Sequence, residues 1–290
     1  MECVPNFSEG RDLACVAALE SAIAAIAGVI VLDRTSDTDH NRSVITFAGP
    51  PAPVLEAAVR VTAKAAGSID LTRHEGVHPR LGALDVLPFV PLRGASLEDC
   101  AELAHRAGDR IWSELLIPVY FYEAAARRPE CRKLEDVRRG TCPPDLGGPA
   151  LHPTAGAVIV GARKVLIAFN INLATNDLEV AKDIARAIRA SSGGLPAVKA
   201  LGLRLASRDL VQVSMNLTDF EQTSVHTVFD LVQRLAEARN VRIADSELIG
   251  LLPRQAVETA FAHFMKLPAF DSDRVIENRL DLLRKKEPRT

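Results

Sequence analysis

The sequence is poor in aromatic residues and in net charge. Aromatic side chains make up 4% of the 290 residues, and the formal net charge is −2. Proteins that bind nucleic acids usually present a basic surface and aromatic side chains on which bases stack, and anionic membranes attract basic segments. The composition therefore argues against nucleic acid and against membrane as partners.

Cysteine is also scarce. The five cysteines are scattered, odd in number and free of any C-x-x-C pair: Cys3, Cys15, Cys100, Cys131 and Cys142. This pattern favours free thiols in a reducing cytoplasm over a disulfide framework or a zinc knuckle.

Long apolar runs are missing as well. No run reaches the ~18 residues of a transmembrane helix, and the start, MECVPNFSEGRD, does not resemble a signal peptide. Hydrophobic residues at 48% and charged residues at 25% are ordinary for a globular protein. We therefore expect a cytoplasmic protein large enough for two modest domains.

The order of periodic segments repeats. Strand and helix patterns predict β-α-β-β-α-β between residues 3 and 90 and again between 164 and 265. The fold class is therefore predicted as α+β, with two ferredoxin-like (βαββαβ-type) subdomains at residues 1–150 and 151–290. Each should have a mixed or antiparallel sheet with helices on one face. The charged stretch 127–139 predicts a solvated helix, and the Pro- and Gly-rich stretch 141–153 a linker between the halves.

Titratable residues concentrate between 73 and 91, which reads RHEGVHPRLGALDVLPFVP. Its HEGVH matches the zinc-protease pattern H-E-x-x-H, which binds metal only on a helix. Gly76 disfavours a helix, and Pro79 keeps the residue before it out of the α region. A loop over 73–82 that leads into a buried strand is therefore the better interpretation. This loop either carries catalytic side chains or is a structural turn with surface histidines.

Polar residues also alternate with apolar ones on two segments of the second half. Asn170 and Asn172 lie on one, and Asn216 lies on the other. A period of two puts each set on one face of a sheet. That face either meets water or forms the floor of a cleft made of neutral donors and acceptors.

Five motifs in order resemble the glutamate formimidoyltransferase family in its stand-alone form: CVPNFSEGRD from Cys3, HPRLGALDVLPFVPLRG from His78, FNINL from Phe169, QVSMNLTDFE from Gln212 and ELIGLLP from Glu247. The resemblance implies a homodimer that needs no metal, with His78 as the catalytic residue. It also implies a folate-binding loop with the sequence GGPALHPTAG: Gly147, Gly148, Pro149, Ala150, Leu151, His152, Pro153, Thr154, Ala155 and Gly156.

The implied reaction moves a formimino group from N-formimino-L-glutamate to N5 of tetrahydrofolate, a step of histidine breakdown. One imidazole can accept the proton from N5 and return it to the departing nitrogen. Arg42 and Arg80 are the candidates for the glutamate carboxylates, and Asp85 and Glu9 for the cationic group being transferred. The alternatives are a transferase for N-formylglutamate or another amino-acid derivative, a non-catalytic folate-binding module, and a zinc hydrolase.

The folate loop departs from the family in its surroundings. Relative to fused mammalian relatives, the chain lacks roughly ten residues before Pro144, a size typical of loop insertions. Ala155 replaces a tryptophan of those relatives, which implies a less complete cover over the ligand. His152 either assists the chemistry or caps the loop.

Overall fold

The computed structural model describes residues 1–38, 40–75, 80–92, 94–267 and 269–279. Within it the chain forms two compact units, Met1–Lys164 and Val165–Thr290. Since each unit has its own sheet and its own apolar core, each is described by itself.

The first unit contains a seven-stranded mixed sheet. Its elements follow in the order β1 (Glu2–Cys3), β2 (Asn6–Phe7), α1 (Leu13–Ala24), β3 (Ile30–Asp37), β4 (Arg42–Ala48), α2 (Pro51–Ser68), β5 (Leu84–Val90), α3 (Leu97–Leu115), β6 (Val119–Glu123), α4 (Leu134–Arg138) and β7 (Val158–Ala162).

The first unit keeps the predicted order of elements through β5 and then adds to it. Strands β1 and β2 both lie between β4 and β5 and pair antiparallel with each, and β3 pairs with the far side of β4. Strand β7, which the sequence did not predict, pairs parallel with β5 and β6. The compact unit therefore extends to Lys164, whereas the sequence placed the boundary after residue 150.

Strand β5 is buried on both faces, and all seven of its residues are buried. Leu87 and Phe89 pack with helices α1 to α3 on one face. Val86 packs on the other face with Tyr120, Tyr122 and Val137 of α4. The expectation that helices cover one face only is therefore corrected for this unit, because a strand with apolar side chains on both faces needs cover on both sides.

The charged stretch 127–139 is not a solvated helix. It contains a 3₁₀ turn at Pro129–Cys131 and the single-turn helix α4, in which Val137 is 2% exposed. Cys131 and Cys142 form a disulfide with Cα atoms 6.2 Å apart, so the expectation of free thiols is wrong for this pair. Their proximity depends on how the chain returns around α4, which spacing in sequence does not reveal.

The stretch 141–153 was predicted as a linker, but it is built into the first unit. The backbone N–H of Val119 donates to the carbonyl of Leu146 at 3.0 Å. Just beyond, Leu71 N–H donates to Thr154 at 2.8 Å and Ala83 N–H to Ala155 at 2.9 Å. These non-local backbone bonds satisfy buried polar groups, so the segment is part of the fold.

The second unit has a four-stranded antiparallel sheet. Its elements are β8 (Ile167–Leu173), α5 (Leu178–Ile188), β9 (Val198–Leu205), β10 (Leu210–Leu217), α6 (Val225–Glu237), β11 (Ile243–Ile249) and α7 (Arg254–Phe264). The strands lie in the order β11-β8-β10-β9. Alternate residues such as Ile171 and Val213 form a core with α5 and α6. Across the described ranges, no helix of either unit has the length and apolar character of a bilayer span.

Candidate active site

A small cleft opens in the first unit beside the central polar stretch. Three strands and three loops contribute its lining: Asn6, Phe7, Ser8, His40, Asn41, Arg42, Arg80 and Asp85. Arg42 and Arg80, the two arginines predicted to bind carboxylates, therefore lie at the same cleft. Guanidinium groups in a partly enclosed space suit an anionic ligand.

Arg42 begins β4 next to Asn6 of β2. Its guanidinium donates to the side-chain oxygen of Asn6, and its buried Nε has no hydrogen-bond partner among the residues that the structure describes. Burial, followed by the nearby charge of Arg138, lowers the pKa of Arg42. A buried N–H without a partner has lost its water, so an acceptor that reaches it is bound more strongly.

Asn41 ties three segments of the cleft together. Its side-chain oxygen accepts from Gly10 N–H at 2.9 Å, and its amide nitrogen donates to the carbonyl of Glu75 at 2.9 Å. Its φ of 47° lies in the left-handed region, which asparagine tolerates better than most residues. Asn41 was not predicted from the sequence, because nothing local distinguishes it from any other loop asparagine.

His74 holds Arg80. The backbone of His74 is extended, with φ −83° and ψ 129°. Its ring makes two hydrogen bonds, through Nε2 with the carbonyl of Asn41 at 3.2 Å and through Nδ1 with the guanidinium of Arg80. Burial, followed by the charge of Arg80, lowers the pKa of His74, which favours a neutral ring that donates from Nε2 and accepts at Nδ1.

The extended backbone of His74 also bears on the zinc interpretation. The H-E-x-x-H motif needs its first histidine on a helix, and His74 follows the end of a short 3₁₀ turn at Leu71–Arg73. The predicted catalytic residue, His78, lies outside the described residues. Its place in the mechanism therefore stays a prediction.

Asp85 and Glu9, the two carboxylates expected near a cationic group, are both engaged in holding the backbone. Asp85 accepts from the N–H of Leu81 at 2.6 Å and pairs with Arg138. One oxygen of Glu9 accepts from the N–H groups of Arg11 and Asp12 just before α1, at 2.8 and 2.9 Å. Both side chains thus fix loops at the cleft.

The GGPALHPTAG segment lies against the chain that follows Arg80. Gly82 and Gly156 form an isolated β-bridge, and Ala157 N–H donates to the carbonyl of Leu81 at 3.0 Å. Gly156 has φ 71°, and a Cβ there would come within 2.1 Å of the Leu81 oxygen. Glycine is therefore required where these two segments meet.

His152 closes a turn inside this segment. Its Nδ1 accepts from the N–H groups of Thr154 and Ala155, at 3.4 and 3.0 Å. Two roles were considered for His152, and these two hydrogen bonds support the role of capping the loop. Ala155 is 2% exposed and belongs to the apolar core, whereas a continuous part of the segment is exposed: Gly148, Pro149, Ala150 and Leu151.

In the second unit, two of the three predicted asparagines are already hydrogen-bonded. Asn172 donates to Asp245 at 2.5 Å and accepts from Gln212 at 2.9 Å. Asn170 donates to Glu247 at 3.3 Å. The expectation of a polar face made only of neutral donors and acceptors is corrected, because carboxylates from β11 take part in its hydrogen bonds.

Charge compensation in this network comes from a neighbouring arginine. Hydrogen bonds from Arg208, then from Asn172, hold the pKa of Asp245 below its ordinary value. Asn216, the third predicted asparagine, is exposed.

Two further residues at the cleft escaped the sequence analysis. His40 lines the cleft, and its Nδ1 lies 2.9 Å from Asp37. Arg138 reaches Asp85 across 53 residues of chain. No spacing rule connects residues so far apart, whereas Asn6 stands inside the CVPNFSEGRD motif and could have been singled out there.

The fold and the site define a two-unit α+β protein with two arginines at a cleft of the first unit. Residues 1–163 match the model of the formiminotransferase domain, N-terminal subdomain, and residues 168–279 match that of the formiminotransferase domain. The chain therefore belongs to the formiminotransferase family, as its motifs indicated.

Relatives of known activity cover nearly the whole chain. A glutamate formimidoyltransferase of Streptococcus pyogenes serotype M1 is 40% identical, over 97% of this chain and 98% of the relative. One of Thermoplasma acidophilum is 41% identical, over 97% of both. The formimidoyltransferase-cyclodeaminase of Mus musculus is 40% identical over 97% of this chain but only 56% of its own length. The predicted enzyme class, a formimidoyltransferase, is confirmed.

Proposed function

We propose that the protein is a glutamate formimidoyltransferase, which moves the formimino group of N-formimino-L-glutamate to N5 of tetrahydrofolate. The observation that carries this proposal is the cleft, in which Arg42 and Arg80 stand at one opening, in a chain matched from end to end by enzymes of that name. A glutamate derivative brings two carboxylates, and each guanidinium offers a planar pair of donors to one of them.

The chemistry requires one group that can take and return a proton. As N5 attacks the C=N carbon, it must lose a proton, and the departing glutamate nitrogen must gain one. A single imidazole can serve both steps, because the ordinary pKa of a histidine side chain is near 6.5. We assign this role to His78, and the proposal needs no metal. Its neighbours in sequence, His74 and Arg80, are hydrogen-bonded to each other at the cleft.

We assign folate binding to residues 147–156. The support is their contact with Leu81 and Gly82, directly after Arg80, together with an exposed stretch at 148–151. A backbone rich in glycine can approach a flat ring closely, and proline reduces the entropy lost on binding. Asn170, Asn172 and Asn216 remain candidates for weaker contacts to either substrate.

The remaining assignments follow from the family. We propose two ferredoxin-like subdomains, the catalytic histidine in the first, a homodimer, and a place in the histidine breakdown of the cytoplasm. The connectivity of each unit is compatible with that fold, because four strands in each are ordered with the last beside the first.

The test is a transfer assay on the purified protein. Wild type should form 5-formiminotetrahydrofolate from N-formimino-L-glutamate and turn over N-formyl-L-glutamate much more slowly. His78→Ala should lose at least ~100-fold in turnover because the proton shuttle is removed, with unchanged thermal unfolding. Faster turnover of the formyl donor would show that N-formyl-L-glutamate is the substrate. Folate binding without any turnover would show that the protein is a non-catalytic folate-binding module. A His78→Ala variant with most of its activity would remove that residue from the mechanism.

A further inference from the structure

Asp85 collects several donors although it lies at an arginine-lined cleft. Its side chain is 4% exposed and pairs with Arg138 of α4, whose side chain is 19% exposed. The other carboxylate oxygen accepts from the N–H groups of Leu81 and Gly82, at 2.6 and 3.3 Å. A carboxylate this buried requires a cation, because an unpaired buried charge is costly.

A second guanidinium competes for the same carboxylate. Arg42 lines the cleft together with Asp85, and the charges of Asp85 and Arg138 both act on it, in opposite directions. Arg42 nevertheless hydrogen-bonds the neutral amide of Asn6, while Asp85 takes Arg138. In this arrangement the carboxylate of Asp85 pairs with Arg138, and the charge of Arg42 is not paired with that carboxylate.

The short helix that carries Arg138 is held at several points. Val137 is buried against the sheet. The disulfide between Cys131 and Cys142 closes the excursion that contains α4. Gly140 N–H donates to the carbonyl of Val137 at 3.0 Å and ends the helix. The backbone of Arg138 is thus fixed although its helix is a single turn.

We propose that Arg138 is a positioning residue for binding of the anionic donor, acting through Asp85. By neutralising Asp85, it prevents that carboxylate from capturing Arg42, and Arg42 stays available for a substrate carboxylate. The inference rests on the proposed function, since it names how the site keeps its anion-binding arginine free. In the absence of Arg138, Asp85 would pair with Arg42 and compete with the donor.

The test compares Arg138→Gln, Arg138→Lys and the matched control Arg139→Gln. Arg139 is the next residue and its side chain is 70% exposed. Arg138→Gln should raise the KM for N-formimino-L-glutamate by about 10-fold, because a charge-assisted bond to the donor is lost, and leave the KM for tetrahydrofolate within about twofold. Arg138→Lys should recover most of the effect, and Arg139→Gln should resemble wild type.

A double variant separates this role from a merely structural one. In Arg138→Gln/Asp85→Asn, no carboxylate remains to capture Arg42. The KM for the donor should therefore fall back below that of Arg138→Gln alone. If Arg138 only stabilised the fold, the double variant would bind the donor as poorly as the single variant or worse. That outcome, or a wild-type donor KM in Arg138→Gln, would overturn the proposal.

Calorimetric measurement of L-glutamate binding tests the role of Arg138 separately from the proposed transferase activity. The same order of affinities is expected across the variants: wild type and Arg139→Gln, then the double variant, then Arg138→Gln. If the four proteins bind L-glutamate in this order but wild type shows no transfer, the proposed function is overturned and the role of Arg138 is supported. Transfer by wild type with equal affinities in all variants would overturn the role of Arg138 alone.

Discussion

A buried arginine of the first unit and a buried asparagine of the second unit differ in how completely they are hydrogen-bonded. In the first unit, Arg42 donates to a neutral amide and keeps a buried Nε without a partner in the described part of the chain. In the second unit, Asn172 is bonded on both sides, to Asp245 and Gln212. Polar side chains with spare bonding capacity indicate a binding site, whereas satisfied ones indicate structure.

The units also differ in how their sheets are covered. Strand β5 of the first unit is buried on both faces, and the second cover includes a disulfide-closed segment. The four-stranded sheet of the second unit packs its apolar face on α5 and α6 and carries the polar network on the other face. The additional cover in the first unit is what brings Arg138 to the cleft.

The largest effect is expected from removing the disulfide. Replacing Cys131 and Cys142 by serine should lower the free energy of unfolding by about 3 kcal/mol, because a short loop is no longer closed in the unfolded chain. The loss should appear in denaturant unfolding without reductant, while the half-buried Cys15→Ser serves as control. Equal stability of wild type with and without reductant would show that the bond does not support the first unit.

The next effect concerns the arginine with spare bonding capacity. Arg42→Leu should raise the KM for the donor by about 30-fold, the value of one charge-assisted bond of about 2 kcal/mol. Arg34→Leu is the matched control, because Arg34 lies on the neighbouring strand β3 with its side chain 42% exposed and paired with Glu20. The measurement is steady-state kinetics with the donor concentration varied. Equal KM values for Arg42→Leu and wild type would show that the donor carboxylates do not bind at Arg42.

A smaller effect is expected in the second unit. Asn172→Ala should cost about 1–2 kcal/mol of stability, because Gln212 and Asp245 each lose a partner. Asn216→Ala, on an exposed position of β10, should change stability by less than about 0.5 kcal/mol. Thermal unfolding of the two variants measures the difference. If both behave alike, the polar network of the second unit does not stabilise it.

The smallest effect is a pH dependence at His74. Its pKa is lowered from the ordinary 6.5, so between the two values the unfolded chain binds more protons than the folded one. The stability from a neutral His74 is therefore present above pH 6.5 and is lost as pH falls toward the folded value.

Unfolding measured at about pH 7.5 and about pH 5.5 tests this linkage. Wild type should lose more stability on acidification than His74→Gln, which retains an acceptor for Arg80 but does not titrate. An identical pH response of the two proteins would show that burial of this ring is not coupled to folding.

Much of the fold was predictable because its signals are local. Helical spacing located α2, α3, α5 and α6, and the two copies of β-α-β-β-α-β appear in the chain order that the periodicity indicated. Strand β7 was missed, since a short apolar segment after a loop rich in proline and glycine carries no distinct period. The covered second face of β5 was missed for a related reason, because burial on both sides depends on a partner distant in sequence.

At the cleft, the sequence located the titratable stretch and two of the arginines. His74 and Arg80 belong to the stretch singled out for its titratable groups, and Arg42 was chosen for its guanidinium. The roles of Asp85 and Glu9 were not predictable, because both depend on backbone N–H groups whose direction is set by the folded loops. Asn41 and Arg138 act through contacts 31 and 53 residues away in the chain.

The amino-acid sequence by itself determined the family, the repeated order of elements and the stretch in which titratable residues are concentrated, because motifs and periodicity are properties of neighbouring residues. Only the tertiary structure decided which charged groups are already paired. Asp85 belongs to Arg138, His74 to Arg80 and Asn172 to Asp245. Such pairings depend on distances of a few ångströms between particular side-chain atoms, and these distances exist only after the chain has folded.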